Sequence, residues 1–266
     1  MLDALRNHWP EYLMEAAGLG TFMVSAGLFG VILFHPASAM VQALPDPLPR
    51  RLLMGLAMGL TAIGIIYSPW GRQSGAHLNP AVTLTFTALG KVAPWDALFY
   101  ILAQFVGGTT GVYLALALLG ERFALPPISY VATMPGEYGP WTAFAAEAVI
   151  TFILMTVVLT TSNIRKTSRY TGLFAGCLVA TYITIEAPIS GMSMNPARSF
   201  ASAFPGGLWD NLWIYFTAPP VGMLAAAGFY RGILKGHEVY CAKLNHHTSR
   251  RCIFLGCRFG DLLKGK

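Results

Sequence analysis

Six long apolar blocks alternate with short polar stretches along the chain, at residues 12–34, 52–69, 95–119, 141–162, 171–189 and 208–230. A helix needs about 20 apolar residues to cross a hydrocarbon layer roughly 30 Å thick, and each block comes close to that length. The blocks are continuously apolar, with no alternation of period two. They therefore predict helices rather than barrel strands, and a helix satisfies every backbone donor and acceptor internally. The pattern predicts an all-α membrane protein with six transmembrane helices. Inside the third block, Gly107 and Gly111 stand four residues apart, a spacing that lets two helix backbones approach closely.

Composition sharpens this. The chain has 266 residues, 55% hydrophobic and 11% charged, where soluble proteins carry about a quarter charged. Six crossings leave little chain for a soluble domain, which excludes a soluble enzyme. The net charge of +6 comes from single Lys and Arg residues between blocks and from a basic C-terminal stretch, not from a basic run interleaved with aromatics. Nucleic acid is not an expected partner. The opening residues include Asp3, Arg6 and Glu11 and lack the short apolar core of a signal peptide, so the first block is expected to remain in the mature protein. With six spans and both termini on one side, that side carries fourteen of the eighteen Lys and Arg residues, eight of them from Arg231 onward. The positive-inside rule makes it cytoplasmic.

Two segments do not fit a plain six-span pattern. SGAHLNPAVTLTFTALG (residues 74–90) lies between the second and third blocks, and SGMSMNPARSFASAFPGG (residues 190–207) lies between the fifth and sixth. They are nearly the same text. Each follows a block that opens with an acidic residue in similar surroundings, YLMEAAGLGTF around Glu15 and FAAEAVITFIL around Glu147. The chain thus reads as two related halves, 10–120 and 140–232, within a channel domain 1–232, followed by a basic tail 233–266. Three spans per half force the halves to sit upside down relative to one another, the inverted repeat of many transport proteins.

Asn is among the best helix N-caps, and Pro is favoured at the first helical position. Asn79-Pro80-Ala81 and Asn195-Pro196-Ala197 therefore predict helix starts, the helices ending near Leu89 and Phe204, before Gly90 and Pro205. At about 1.5 Å per residue, some ten residues cover about half the hydrocarbon core. These are re-entrant half-helices. In an inverted repeat their N-terminal ends meet near the membrane centre, each carrying an effective charge of about +0.5. A cation is repelled there and a neutral polar molecule is not. The Asn side chains can donate hydrogen bonds to the oxygen of a passing molecule, and the non-helical residues before each Asn can exist at that depth only if buried or lining a wet cavity. The expected function is a channel for small neutral solutes.

With both motifs in full, SGAHLNPAVT and GMSMNPARSF, the chain resembles the aquaporin or major intrinsic protein family, of bacterial type, over about residues 10–232. The resemblance implies a homotetramer with one pore per subunit, passive and proton-excluding permeation of water, and a four-position filter on the outer side. Arg198 matches the filter arginine, Met192 the position three before Asn195, and Ile183 the fifth-helix position. The second-helix position falls on Met58 if the preceding loop holds one extra residue and on Gly59 if it does not; the GLT after Met58 favours Met58. His77 matches a histidine lining the cytoplasmic half of the pore. Glu15 and Glu147 match carboxylates that support the half-helix loops. Water-specific members place His on the fifth helix and an aromatic residue on the second, which Ile183 and Met58 do not match. Glycerol facilitators follow the second motif with Asp, where this chain has Ser199. The family pattern implies a bacterial inner membrane, with the bilayer, water and other small neutral solutes (glycerol, urea, hydrogen peroxide, ammonia) as partners.

Other readings set limits. A coupled transporter needs titratable groups at the midplane, and apart from the symmetric Glu15 and Glu147 none is found. An intramembrane enzyme needs a nucleophile–base or paired-carboxylate set, and none appears. Glu186, near the outer end of the fifth block, has no counterpart in the first half and is read either as facing the outer vestibule or as solvated. In the tail, Cys241, Cys252 and Cys257 accompany His246 and His247, but no Cys-x-x-Cys pair is present. No metal or cofactor is expected. The tail is expected to lie near anionic headgroups, in a reducing compartment where disulfides do not form.

Overall fold

The computed structural model describes residues 1–233 and 238–265; Lys235 and Lys266, two of the basic tail residues, lie outside the described residues. Eight helices of eight residues or more run through the channel region: α1 (Leu2–Phe34), α2 (Pro47–Tyr67), α3 (Pro80–Ala88), α4 (Pro94–Leu119), α5 (Gly139–Ser162), α6 (Thr171–Ile185), α7 (Pro196–Ala203) and α8 (Leu212–Gly232). No strand occurs among the described residues. Five of these helices are long and apolar enough to cross a membrane. The fifth block is interrupted. Its helix α6 ends at Ile185, and after Glu186 a separate turn Ala187–Ser190 carries the chain to the second motif. The expected span through residue 189 is thus corrected, because Pro188 sits inside this stretch and Gly191 ends it at φ 80°. The first half has the matching turn, Pro69–Ser74, closed by Gly75 at φ 99°.

The helices pair as an inverted repeat requires. Helix α1 packs on α4, α5 on α8, and α2 meets α6 across the two halves. Small residues set these approaches. A Cβ on Gly107 would lie 2.2 Å from the Ala16 carbonyl oxygen, and one on Gly111 would lie 2.4 Å from that of Gly20. The spacing singled out in the third block is therefore the α1–α4 crossing. The equivalent α5–α8 contact uses Gly222, whose added Cβ would meet the Ala148 oxygen at 2.3 Å. Lipid-facing positions keep large apolar side chains, among them Leu60, Val106, Leu118 and Val149, as a bilayer solvent demands.

Half-helices α3 and α7 occupy the centre, with eight or nine residues each. The tail does not lie apart along the surface. Val239, Cys241, Ala242, Leu244, Phe254, Phe259 and Leu262 are buried in the same apolar cluster as Tyr12, Phe86 and Tyr100.

Candidate functional site

Each half-helix is begun by its asparagine. Asn79 caps α3 by accepting the Ala81 N–H through Oδ1 at 2.8 Å. Asn195 caps α7 by accepting the N–H groups of Ala197 and Arg198 at 3.0 and 3.2 Å. Capping leaves both Nδ2 groups free to donate across the centre. Asn79 Nδ2 donates to the Met194 carbonyl at 2.6 Å, and Asn195 Nδ2 donates to the Leu78 carbonyl at 2.7 Å. Each amide carries a second hydrogen, and both asparagines line one cavity. Pro80 and Pro196 take the first helical positions, where their missing N–H costs nothing. Ala81 and Ala197 follow them, fully buried.

The non-helical segments ahead of the asparagines are held by the two buried glutamates in matching fashion. Glu15 accepts from Ser74 Oγ at 2.7 Å, His77 N at 3.0 Å, Leu78 N at 2.6 Å and Gln104 Nε2 at 2.9 Å. Glu147 accepts from Ser190 Oγ, Ser193 N and Met194 N, all at 2.7 Å. Tyr100 and Tyr215 repeat the symmetry, donating their hydroxyls to the carbonyls of Ser74 and Ser190. The backbone is left-handed at Ala76, Leu78, Met192 and Met194. Such conformations cost about 1 kcal/mol or more each and persist only where surroundings enforce them. The carboxylates do so by claiming the N–H groups, and residues of both segments line the cavity. Gln104, Tyr100 and Tyr215 lie outside the repeated segments, which Ser74 and Ser190 open; the long-range partners of all five gave no local sequence signal.

The cavity, about 460 Å³, runs from Phe34, Arg51 and Pro127 past Arg198 and both asparagines to His77 and Leu244. Met58, Ile183, Met192 and Arg198 all line it. Met58 is 1% exposed to solvent outside. Gly59 faces elsewhere: its added Cβ would meet the Gly176 carbonyl on α6 at 2.6 Å. Arg198 Nη1 donates to the Val131 carbonyl at 2.8 Å. Among the described residues no carboxylate lies within ion-pair distance of it, so the guanidinium is oriented by a backbone oxygen and keeps its charge unneutralised by a direct partner. Most of the wall is otherwise apolar, with Leu19, Phe22, Met54, Val82 and Val179 among its residues.

Ser199 is buried and bonds to Ser193 Oγ at 2.5 Å and Thr133 Oγ1 at 2.7 Å, which ties the second loop to the segment between the halves. Glu186 is buried, with both carboxylate oxygens lacking a hydrogen-bond partner among the described residues. His77 borders the cavity, yet its ring is fully engaged: Nε2 donates to the Ala242 carbonyl at 2.9 Å and Nδ1 lies 3.1 Å from Thr83 Oγ1. Phe86 and Phe254 stack on its two sides at 5.3 Å. Sequence reasoning placed His77 at the passage and missed the tail that covers it.

Two opposed, asparagine-capped half-helices on one cavity are decisive when set beside known proteins. A profile described as major intrinsic protein matches residues 7–230. The chain belongs to this family. It is 38% identical over 185 residues to aquaporin NIP2-3 of Zea mays, covering 68% of this chain and 58% of that protein. It is 35% identical over 225 residues to aquaporin NIP3-1 of Arabidopsis thaliana, covering 82% and 65%. The chain thus spans less than two thirds of the length of these curated relatives. The fold is similar to the X-ray structure of the aquaglyceroporin from Plasmodium falciparum, with a TM-score of 0.68, 22% identity, and coverage of 85% of this chain and 96% of that one.

Proposed function

We propose that this major intrinsic protein is a passive transmembrane channel for water and other small neutral solutes that excludes protons. The observation that carries the reading is the pair of half-helix N-termini, α3 and α7, whose capping asparagines line one cavity and bond crosswise. Their dipole ends place partial positive charge from both sides on the same short stretch, where low dielectric strengthens its field. A water whose oxygen accepts from Asn79 and Asn195 has its hydrogens turned away from the centre, toward the two mouths. A proton relay then has no continuous donor–acceptor order across the midplane. Arg198 adds a full positive charge at one narrow level.

The four residues Met58, Ile183, Met192 and Arg198 form the selectivity filter in this reading, His77 lines the passage on its other side, and Glu15 and Glu147 hold the loops that supply its carbonyls. The three apolar members support a second reading, a channel that favours solutes larger than water, such as glycerol, urea, hydrogen peroxide or ammonia. Apolar walls discriminate weakly, and size then decides. The named relatives are aquaporins and the structural neighbour is an aquaglyceroporin, which is compatible with both readings. The distribution of Lys and Arg supports both termini in the cytoplasm. Family pattern supports a bacterial inner membrane and a homotetramer.

Stopped-flow light scattering on proteoliposomes tests this directly. An impermeant osmolyte should drive rapid, non-saturating shrinkage with low activation energy, followed by re-swelling only with permeant solutes. Saturable flux coupled to an ion gradient would overturn the channel reading in favour of a transporter.

A further inference from the structure

The tail brings together four residues that its sequence spacing does not reveal as a set. One ligand atom from each of Cys241, His246, Cys252 and Cys257 lies within 4.8 Å of the other three. Cys241 Sγ and Cys252 Sγ are 3.5 Å apart, and Cys257 Sγ is 3.1 Å from His246 Nε2. A disulfide has its sulfurs about 2.05 Å apart, and all four cysteines of the chain are free. Bonds of about 2.3 Å to sulfur and about 2.0 Å to nitrogen, arranged tetrahedrally, put neighbouring ligand atoms about 3.5 to 3.8 Å from one another. The cluster already approaches that shape.

A second observation points the same way. Lys243, between two of the cysteines and histidines in sequence, is 2% exposed. Its Nζ donates to the Arg251 carbonyl at 2.7 Å, and no carboxylate among the described residues lies within ion-pair distance. Buried charges are normally paired. Three thiolates and a neutral imidazole around a divalent cation carry a net charge of −1, which would offset the ammonium. A third observation concerns the backbone. Residues 238–258 contain no helix or strand, yet Cys241, Ala242 and Leu244 are buried. Irregular segments of this length inside a compact structure are uncommon without a staple.

What the segment covers gives the site its consequence. Leu244 N donates to the Gly75 carbonyl at 3.1 Å, in the loop leading to Asn79, and Leu244 itself lines the cavity. Ala242 accepts from His77 and Phe254 stacks on it. Arg251 clamps the outer side through two contacts to the buried Glu11, at 2.7 and 2.5 Å. We propose that Cys241, His246, Cys252 and Cys257 bind one zinc ion, and that this ion holds residues 239–259 as a plug in the mouth of the passage beside His77. Zinc suits a tetrahedral, thiolate-rich set in a reducing compartment; that compartment follows from the cytoplasmic placement proposed above. Binding displaces the protons of the three thiols into solvent. Removing the ion frees the segment and opens the mouth.

The test uses the full chain purified without a polyhistidine tag, from cells grown with zinc. Elemental analysis should find one zinc per chain, released by a thiol-blocking mercurial and absent from the Cys252→Ser/Cys257→Ser double variant. Cobalt substitution should give the thiolate-to-cobalt charge-transfer absorption of a tetrahedral site, a signature that does not depend on how well the variant folds. A zinc-free chain without that absorption, or a Cys241–Cys252 disulfide found by mass spectrometry of the freshly purified protein, would overturn the site. In proteoliposomes, a membrane-permeant zinc chelator should raise osmotic water permeability several-fold, and added zinc should reverse it. A stoichiometric zinc whose removal leaves the permeability unchanged would overturn the plug. Absence of water and solute flux in every metal state would instead count against the channel reading, because the zinc content and the cobalt spectrum are read independently of transport.

Discussion

Asn79 and Asn195 hold each other's approach segments: the amide of Asn79 donates to the carbonyl just ahead of Asn195, and the amide of Asn195 donates to the carbonyl just ahead of Asn79. Each side chain therefore does three things at once. It caps its own half-helix, anchors the other loop, and lines the cavity.

Replacing Asn79 with Asp keeps the cap but removes the donor and adds a negative charge opposite the Met194 carbonyl. The half-helix should persist, while the barrier to cations falls. Pyranine-loaded vesicles should show a proton leak in Asn79→Asp that wild type lacks. Vesicles as tight as wild type would show that the amide donor is not part of proton exclusion.

Arg198→Ala removes the guanidinium held by the Val131 carbonyl and leaves a ring of Met58, Ile183 and Met192. Glycerol and urea uptake should rise relative to water in iso-osmolar stopped-flow assays. Arg198→Lys should not restore selectivity, since an ammonium lacks the planar fork that reaches a fixed carbonyl while facing the passage. An unaltered solute ratio in both variants would remove Arg198 from the filter.

Glu147→Gln places an NH2 group where one carboxylate oxygen accepts from Met194 N, or from Ser190 and Ser193 if the amide is turned over. A donor must then face a donor. Leaving one buried N–H unpaired costs about 1–3 kcal/mol, so the melting temperature in detergent should fall clearly below wild type. Glu15→Gln should behave alike, because Leu78 N and Gln104 Nε2 share one oxygen there. Equal melting curves would mean that the loops hold their left-handed backbone unaided.

Gly107→Ala pushes a methyl to within 2.2 Å of the Ala16 carbonyl, whereas Gly64→Ala meets nothing within 4 Å. Both add one methyl to a spanning helix. The first should abolish monodisperse protein or lower its melting temperature sharply, and the second should leave both unchanged, as judged by fluorescence-detected size exclusion. Comparable behaviour of the two would show that the α1–α4 crossing is not set by backbone contact.

The sequence by itself determined the spans apart from the end of the fifth, the two half-helix starts and the inverted halves, because these rest on local physics. Lipid selects continuous apolar runs, and Asn-Pro starts a helix wherever it stands. The doubled motif gives the number of halves by inspection. Tertiary structure decided everything that depends on rotation about a helix axis or on partners far apart in the chain. One residue turns a helix face by about 100°, which is why Met58 reaches the cavity while Gly59 backs onto α6. Glu15 meets residues 59 to 89 positions away, and no periodicity encodes such a meeting. The tail was the least legible part. With no helix or strand over residues 238–258, it has no period to read, and its fold over His77 and its cluster of three cysteines and a histidine are contacts between residues far apart in the chain or irregularly spaced.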